Sequence, residues 1–384
     1  MAAMRDAHSS LAEEDCRDLR FLVFGGKTGW LGQSLVKIIA DQAPACKVIV
    51  AQSRMEDRAQ VKKELAETKP THVLCAAGVT GRPNVDWCED HRKETVRANV
   101  LGTLTLCDVC DEVGIHLTIY ATGCIYSYDA EHPLGGARGF TEEDAPNFHG
   151  SYYSKTKGMV EELVQPFLNN TLLLRVRMPL SEDMSAPRNF IYKIARYERV
   201  VDIPNSMTSL PDMLPVSVLM AVRGLTGVFN FTNPGVISHN QCLELYRRYV
   251  DPRFTWRNFT EAEQARVLKA PRSNNMLDTS KLEAMLPDVA IPDILTATEN
   301  LFSLSSDRPH DGTSASATSI PMTHEQITEV KFKEICFACK YINTRSIREN
   351  PEFVILMKLY TRKAEAIGQP ALFRAPRSIS RCKT

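Results

Sequence analysis

The chain has 384 residues, in which 46 Lys and Arg balance 46 Asp and Glu, and 43% of the residues are hydrophobic. These values predict a soluble globular protein with one large domain or two ordinary ones, and they exclude a uniformly basic nucleic-acid binder and an acidic disordered chain. There is no run of 18 apolar residues and no apolar signal segment, so we expect neither a membrane span nor secretion. Eleven scattered cysteines are then expected to be reduced thiols of a cytosolic protein.

Short apolar segments alternate with helical patterns in the first half of the chain. The predicted strands are 20–25, 47–52, 71–77, 117–121 and 171–176, and the predicted helices are 31–40, 57–68, 92–112 and 153–167. This alternation predicts parallel β-α-β units. Because a glycine-rich turn follows the first strand, the expected fold is an α/β Rossmann-type doubly wound parallel sheet with helices on both faces.

The pattern changes after about residue 178, where Pro and Asn become frequent. This change predicts a smaller substrate-binding lobe, from which 228–232 is expected to return to the sheet. The expected organisation is a mobile leader (1–19), a cofactor-binding domain that carries the catalytic residues (20–180), the lobe (181–302), a Ser/Thr-rich linker (303–320) and a basic extension without an assigned role (321–384).

The glycine-rich turn contains Gly26, Gly29 and Gly32 directly after the first strand. Such a turn lets the chain bend sharply, lets a pyrophosphate approach the backbone and lets the following helix pack on the strand. Ser53 and Arg54 stand near the end of the second strand, where an NAD site usually offers Asp or Glu, and Arg suits a 2′-phosphate. NADPH is therefore the expected cofactor, with NADH as the alternative. The residues that we assign to it are Gly26, Lys27, Thr28, Gly29, Trp30, Leu31, Gly32, Ser53, Arg54, Ala76, Ala77, Asn99, Tyr153 and Lys157.

Tyr153 and Lys157 form a Y-x-x-x-K motif at the start of a predicted helix. Four residues of separation put both side chains on one helix face, and an ammonium beside a phenol is expected to lower its pKa from about 10. Thr122, at the end of a predicted strand, is the expected third member, and Asn99 often accompanies such a set. These residues predict proton transfer to a carbonyl that is being reduced.

The glycine turn, the NVLGT helix, the strand-end Thr and Y-x-x-x-K, in this order, identify the chain as a member of the extended short-chain dehydrogenase/reductase family. Further stretches resemble the nucleotide-rhamnose synthases, which are bifunctional 3,5-epimerase/4-reductases similar to dTDP-4-dehydrorhamnose reductase. The resemblance covers about residues 20–302. The stretches are GRPNVDWCE (81–89), ATGCIYSYD (121–129), NFHGSYYSKTK (147–157), LRVRMP (174–179), PRNFI (187–191), DIPNSMT (202–208), FNFTNPGVISHN (229–240) and APRSNN (270–275).

The resemblance implies that UDP- or dTDP-4-keto-6-deoxyglucose is the substrate and that the nucleotide-linked L-rhamnose is the product. It implies that Cys124 and Lys193 are the acid/base pair of epimerisation, with Tyr153, Thr122 and Lys157 serving the reduction. It places Asn189 and Arg272 near the sugar nucleotide. Arg82 and Asp86 follow the third predicted strand, and we expect them to line the substrate site. Related 4,6-dehydratases carry Asp-Glu after the strand-end Thr, whereas this chain has Gly123 and Cys124, which disfavours a dehydratase.

Alternatives remain open at this point. A GDP-fucose-synthase-like enzyme would use the same chemistry on another keto sugar, and a non-catalytic NADP-binding regulatory subunit, as in methionine adenosyltransferase, could share the fold. The family also suggests a homodimer through the helix that bears Tyr153. We expect no metal, because Cys107 and Cys110 suit a helix core and Cys336 and Cys339 lack a second ligand pair.

Overall fold

The computed structural model describes residues 18–82 and 84–306. The strands are β1 (Arg20–Phe24), β2 (Lys47–Val50), β3 (His72–Cys75), β4 (His116–Thr122), β5 (Thr171–Val176), β6 (Arg199–Val200), β7 (Gly227–Asn230) and β8 (Arg257–Asn258). The α-helices are α1 (Trp30–Gln42), α2 (Arg58–Thr68), α3 (Trp87–Asp90), α4 (Arg92–Thr95), α5 (Gly102–Glu112), α6 (Tyr152–Leu163), α7 (Phe190–Ile194), α8 (Leu210–Val222), α9 (His239–Tyr249), α10 (Glu261–Ala265), α11 (Ser280–Met285) and α12 (Ile294–Ser306). A π-helix (Val96–Leu101) joins α4 to α5, and a 3-10 helix (Gln165–Phe167) follows α6.

The main sheet has six parallel strands in the order β2-β1-β3-β4-β5-β7. The chain moves from β1 outward to β2 and then returns to place β3 on the other side of β1. In open α/β sheets, ligands bind beyond the carboxyl ends of the strands at such a reversal. The expected cofactor turn after β1 and the expected catalytic threonine at the end of β4 both lie at this edge of the sheet.

Two apolar layers cover the two faces of the sheet. On one face α1 and α8 pack through residues such as Leu35, Ile39 and Met213, and on the other α2, the π-helix, α5 and α6 pack through residues such as Leu106 and Val160. Because both faces are covered, the central strands are nearly continuous apolar runs. This architecture confirms the predicted Rossmann-type fold.

A third apolar cluster lies in the later part of the chain. It includes Leu180, Ile191, Ile237, Leu243 and Phe302, and the small parallel pair β6–β8 lies in the same part of the sequence. The predicted return of 228–232 is confirmed in β7, which pairs with β5. The boundaries of the cofactor domain and the lobe stay predictions.

The predicted elements agree with the structure apart from their ends and one interruption. The segment predicted as one helix over 92–112 contains the π-helix, in which Asn99 is buried. In the part of the chain that the structure describes, no helix is both long and apolar enough to cross a membrane. The leader up to residue 17, most of the linker and the basic extension lie outside the described residues, as do Cys336 and Cys339.

Candidate active site

The turn after β1 is tight at Gly25. Its φ is +88°, and a Cβ there would lie 2.8 Å from the carbonyl carbon of Ala76, across the reversal between β1 and β3. A Cβ on Gly32 would lie 2.4 Å from the carbonyl carbon of Gly25, so α1 can approach the turn only because residue 32 is glycine. The sequence assigned the tight turn to Gly26. That detail is wrong, because the left-handed conformation falls one residue earlier.

The N-terminus of α1 opens toward this turn. Its N-cap is Gly29, which has no side chain to cap the first-turn N–H groups, and whose own N–H donates to Gly25 O at 2.9 Å. Lys27 and Thr28 are exposed beside it, and Trp30 is partly exposed. Uncapped N–H groups and the positive end of the helix dipole attract phosphate. The turn therefore fits the pyrophosphate of a dinucleotide.

The residues expected to bind a 2′-phosphate are hydrogen-bonded to acidic neighbours. The Ser53 N–H donates to Glu64 Oε2 at 2.9 Å, and its hydroxyl donates to the same oxygen. Arg54 Nε donates to Glu56 at 2.8 Å while its side chain stays 77% exposed. The sequence did not reveal Glu64, which reaches the loop from α2. Arg54 remains free to turn toward a ligand, and its role stays a prediction.

Asn99 shapes the loop after β3. Its side-chain oxygen accepts from Val79 N–H at 2.7 Å and its amide donates to Val79 O at 2.8 Å. A Cβ on Gly78 would lie 3.3 Å from the same oxygen, so the loop passes close to the π-helix. The structure thus gives Asn99 a positioning contact, and a direct cofactor contact stays a prediction.

Thr122, Cys124 and Tyr153 meet at the carboxyl end of β4. Thr122 is the last residue of the strand and is 5% exposed, and its hydroxyl accepts from Cys124 N–H at 3.1 Å. Tyr153 lies in the first turn of α6, which begins where the Ser151 side chain accepts from Ser154 N–H at 3.0 Å. The Thr122 hydroxyl and the nearby Cys124 both act on the pKa of the Tyr153 phenol. Three of the predicted catalytic residues are therefore adjacent.

The acidity of Tyr153 differs from the prediction. Burial raises the pKa of Tyr153 above its ordinary value, the nearby Cys124 raises it further, and the Thr122 hydroxyl only partly opposes this rise. The sequence predicts that Lys157 lowers this pKa, which is wrong for the structure because the desolvation of the phenolate outweighs the other effects. A phenol of this kind stays protonated at neutral pH and is a proton donor.

Lys157 lies one turn after Tyr153 on the same helix. Burial lowers the pKa of Lys157, while the neighbouring Cys75 and Glu161 raise it. Glu161 is itself buried and pairs with Arg175, to which it is joined by a 3.0 Å hydrogen bond from Nε. The predicted lysine is thus followed, one turn later, by a buried ion pair that the sequence did not indicate.

The structure adds a buried cation that the sequence did not single out. Arg177, directly after β5, is 1% exposed, and its Nη1 lies 3.9 Å from Cys124 Sγ. A Cβ on Gly123 would lie 2.9 Å from Arg177 Cγ and 2.6 Å from Leu277 Cδ1. Residue 123 therefore has no room for the acidic side chain that the related dehydratases carry there. The sequence signal that could have revealed Arg177 is the second arginine in the otherwise apolar segment LLLRVRMP.

The four residues expected near the substrate fall into two groups. Arg272 and Asp86 bind each other, with Nη1 and Oδ1 2.8 Å apart. Arg82 belongs instead to a cluster of cations with Arg188 and Lys193. Arg188 Nη1 donates to Thr80 Oγ1 at 3.0 Å and to Gly81 O at 2.8 Å, which brings its charge beside Arg82.

Lys193 and Asn189 belong to the same short helix. Burial and the charge of Arg188 lower the pKa of Lys193. No hydrogen bond or ion pair joins Lys193 to Cys124 within residues 18–82 and 84–306. Asn189 is fully buried as the N-cap of α7; its oxygen accepts from Ile191 N–H, and its amide donates to Ser181 O and Asp183 O, each at 2.8 Å. Asn189 therefore positions Lys193, and a substrate contact by its amide stays a prediction.

The cysteines expected to pack in the core do so. Cys107 and Cys110 are buried in α5, and burial raises the pKa of both thiols. Among the residues that the structure describes, no group of three or more His, Cys, Asp and Glu is arranged to hold a metal ion.

Comparison with known proteins identifies relatives of this chain. An Arabidopsis thaliana bifunctional dTDP-4-dehydrorhamnose 3,5-epimerase/dTDP-4-dehydrorhamnose reductase is 58% identical over 269 residues, which are 70% of this chain and 88% of the relative. A trifunctional Arabidopsis UDP-glucose 4,6-dehydratase/epimerase/reductase is 57% identical, but the match spans only 40% of that protein. The crystal structure of the L780 UDP-rhamnose synthase from Acanthamoeba polyphaga mimivirus superposes with a TM-score of 0.70 at 43% identity, covering 74% of this chain and 99% of the other.

Bacterial structures share the fold at lower identity. A dTDP-4-dehydrorhamnose reductase from Bacillus anthracis, solved with NADP, gives a TM-score of 0.62 at 18% identity and covers 74% of this chain and 98% of the other. The family model described as the RmlD substrate binding domain matches residues 19–286. The family resemblance inferred from the sequence motifs is confirmed, and the chain belongs to the RmlD substrate binding domain family.

Proposed function

We propose that the chain converts UDP- or dTDP-4-keto-6-deoxy-D-glucose into the nucleotide-linked L-rhamnose by 3,5-epimerisation and NADPH-dependent 4-reduction. The names of the Arabidopsis epimerase/reductase and of the viral UDP-rhamnose synthase support this activity. The observation that carries the proposal is the meeting of Thr122, Tyr153 and Cys124 at the end of β4. A carbonyl bound there would face Thr122 and Tyr153, which serve the reduction, and the Cys124 thiol, which serves the epimerisation.

The hydroxyl groups of Thr122 and Tyr153 account for the reduction. Bound NADPH supplies hydride for C4 of the keto sugar, and the residues that would hold it are those of the turn after β1 with Arg54, Tyr153 and Lys157. Tyr153 remains protonated at neutral pH because burial raises its pKa. It donates this proton to the alkoxide at C4, while the Thr122 hydroxyl donates a hydrogen bond to the same oxygen and Lys157 places a positive charge one turn away.

The epimerisation uses the acidity that the C4 carbonyl gives to the hydrogens on C3 and C5. Cys124 removes a proton from carbon, and the electron pair moves to the carbonyl oxygen, which Tyr153 and Thr122 stabilise by hydrogen bonds. Lys193 returns a proton on the opposite face. A lysine whose pKa is lowered by burial and by Arg188 exchanges its proton more readily than an exposed one.

Three cations support an anionic substrate in the same region. Arg188 interacts electrostatically with both Arg82 and Lys193, and no carboxylate forms an ion pair with any of the three in the described part of the chain. Like charges held together without counter-ions favour an anion between them. We assign the diphosphate of the sugar nucleotide to Arg82 and Arg188, which leaves Lys193 for proton transfer. The ion pair of Asp86 and Arg272 is assigned to the lining of the same substrate site.

Proton NMR of the purified chain with UDP-4-keto-6-deoxyglucose in D₂O, with and without NADPH, tests the function. We expect deuterium to enter C3 and C5 without NADPH and a rhamnose product to form only with it. A folded protein that binds NADPH but shows neither exchange nor reduction would exclude the activity. It would favour either an enzyme that acts on a GDP-linked keto sugar or a regulatory role without catalysis. The same assay with GDP-4-keto-6-deoxymannose then distinguishes these two alternatives.

We also propose a cytosolic homodimer. Met159 and Leu163 on α6 are 47% and 46% exposed, and Leu101 on the neighbouring π-helix is 52% exposed, which supports an apolar contact between two copies. The cysteines within the described ranges are free thiols, which supports a reducing compartment. Light scattering of the chain and of Leu163→Glu checks the dimer, since a charge in that contact should yield monomers.

A further inference from the structure

Arg177 is a buried cation that has no buried counter-ion among the residues that the structure describes. Its guanidinium donates to Gly123 O (3.1 Å), Ser273 Oγ (2.9 Å) and O (3.2 Å), Asn205 Oδ1 (2.6 Å) and Ser206 O (3.2 Å), all of them neutral oxygens. No carboxylate pairs with it among the described residues. Burying a charge without an opposite charge is costly, so such a residue needs a compensating anion at some stage.

Arg175 provides the contrast within the same segment. It is as deeply buried as Arg177 and lies two residues earlier, yet it pairs with the carboxylate of Glu161. Burial acts to lower the pKa of Arg175, but Glu161 outweighs it and the pKa is raised. For Arg177 burial prevails and the pKa is lowered, because only Cys124 and Tyr128 oppose it. The charge of Arg177 is therefore the one left uncompensated.

The nearest acidic group to this charge is a thiol at the reacting end of the sheet. Cys124 Sγ lies 3.9 Å from Arg177 Nη1, and the side chain of Cys124 is partly exposed whereas the other described cysteines are buried. The titratable groups that face the pair are Tyr153 on α6, next to Cys124, and Tyr128, next to Arg177. Lys193 makes no bond to Cys124, and its charged neighbour is Arg188.

We propose that Arg177 is a positioning residue that stabilises the thiolate of Cys124 and so prepares it to take a proton from the substrate carbon. During turnover the thiolate accepts the proton from C3 or C5, and the electron pair passes to the carbonyl oxygen as an enolate. The effect on turnover rests on the proposed function, whereas the effect on the thiol does not.

Site-resolved alkylation of Cys124 with iodoacetamide, read by mass spectrometry of the full chain's peptides, tests the proposal without substrate. Iodoacetamide reacts with the thiolate, and an opposite charge within about 4–6 Å shifts the equilibrium by one or more decades, so Arg177→Gln should slow alkylation at pH 7.5 about tenfold or more. The rise of the rate with pH should move to higher pH in this variant. Arg177→Lys keeps the charge and should restore most of the rate.

Ser273→Ala is the matched control, because it removes one hydrogen bond from the same guanidinium without changing any charge. Its alkylation rate should stay near that of the wild type. Arg177→Gln that folds, binds NADPH and alkylates at the wild-type rate would overturn the proposal, as would equal slowing by Ser273→Ala. Neither result would bear on deuterium exchange into the keto sugar, which tests the proposed function separately.

Discussion

Arg272 Nη1 and Asp86 Oδ1 are 2.8 Å apart although 186 positions separate the two residues in the chain. The ion pair joins the loop after β3 to the segment that also supplies Ser273, a hydrogen-bond acceptor of Arg177. Burial acts to raise the pKa of Asp86, but the hydrogen bond and charge of Arg272 outweigh it, and the pKa is lowered. The pair therefore holds two parts of the candidate site together at neutral pH.

We expect Asp86→Asn to lower the free energy of unfolding by about 0.5–1 kcal/mol at pH 7, since both side chains are partly exposed. A lowered carboxyl pKa contributes stability above the unfolded pKa of about 3.9, and that contribution is lost as the pH falls through the folded value. Urea unfolding of both proteins at pH 7 and pH 3 should show the difference shrinking at pH 3. A difference that is equal at both values would contradict the electrostatic origin.

The effect of the Thr122 hydroxyl on the pKa of Tyr153 predicts the behaviour of Thr122→Val. Loss of the hydroxyl removes the interaction that lowers the pKa of Tyr153, and it also removes a proposed donor to the carbonyl oxygen of the substrate. We expect kcat for NADPH oxidation to fall about a hundredfold. Thr118→Val on the same strand is the control, because the Thr118 hydroxyl has no partner among the described side chains. Equal loss in both variants would indicate damage to β4 instead.

The sheet could be predicted because parallel strands covered on both faces are apolar runs, as in 171–176, and because the glycine turn requires small residues at fixed places. The π-helix could not, since the apolar spacing of Val96, Val100 and Leu104 also suits an ordinary α-helix. Its position matters, because Asn99 lies within it and hydrogen-bonds both backbone groups of Val79.

The candidate site was predictable where its residues are close in sequence, as with Tyr153 and Lys157. It was not predictable where distant segments complete it. Arg177 is bound by Asn205, 28 positions away, and by Ser273, 96 positions away, and nothing local in LLLRVRMP tells which acceptors its guanidinium will meet. For the same reason the sequence did not reveal Glu64, which lies on α2 and whose carboxylate accepts a hydrogen bond from Ser53 N–H.

The exposed Arg54 predicts how the chain chooses its cofactor. Arg54→Ala should raise KM for NADPH about tenfold, which corresponds to about 1.4 kcal/mol, and should leave KM for NADH unchanged, because only NADPH carries the 2′-phosphate. Glu56→Gln removes the carboxylate that now pairs with Arg54 and should not raise KM for NADPH. Steady-state kinetics with both cofactors measures this, and an equal rise for NADPH and NADH would refute recognition of the 2′-phosphate by Arg54.

The charge of Arg188 predicts a pH effect on epimerisation. Burial and Arg188 lower the pKa of Lys193, so Arg188→Gln should let Lys193 keep its proton to higher pH. The alkaline limb of the pH profile for deuterium exchange at C3 and C5, measured without NADPH, should therefore shift to higher pH. Arg196→Gln removes an equal charge from the end of the same helix, where Arg196 stacks on Tyr192, and should leave the limb in place. An unshifted limb in Arg188→Gln would argue against proton transfer by Lys193.

The buried pair of Glu161 and Arg175 predicts a large loss of stability when its acid is neutralised. Arg175 also donates to Thr141 O, Asn230 Oδ1 and Glu142 O, so the guanidinium cannot leave the core without breaking several contacts. Glu161→Gln should lower the free energy of unfolding by about 3 kcal/mol or more, because it leaves a buried positive charge unpaired. Glu162→Gln, the exposed neighbour on the same helix, should change it by less than about 0.5 kcal/mol. If chemical denaturation gave the two variants similar stabilities, Arg175 would need another counter-charge, and the contrast with Arg177 would lose its basis.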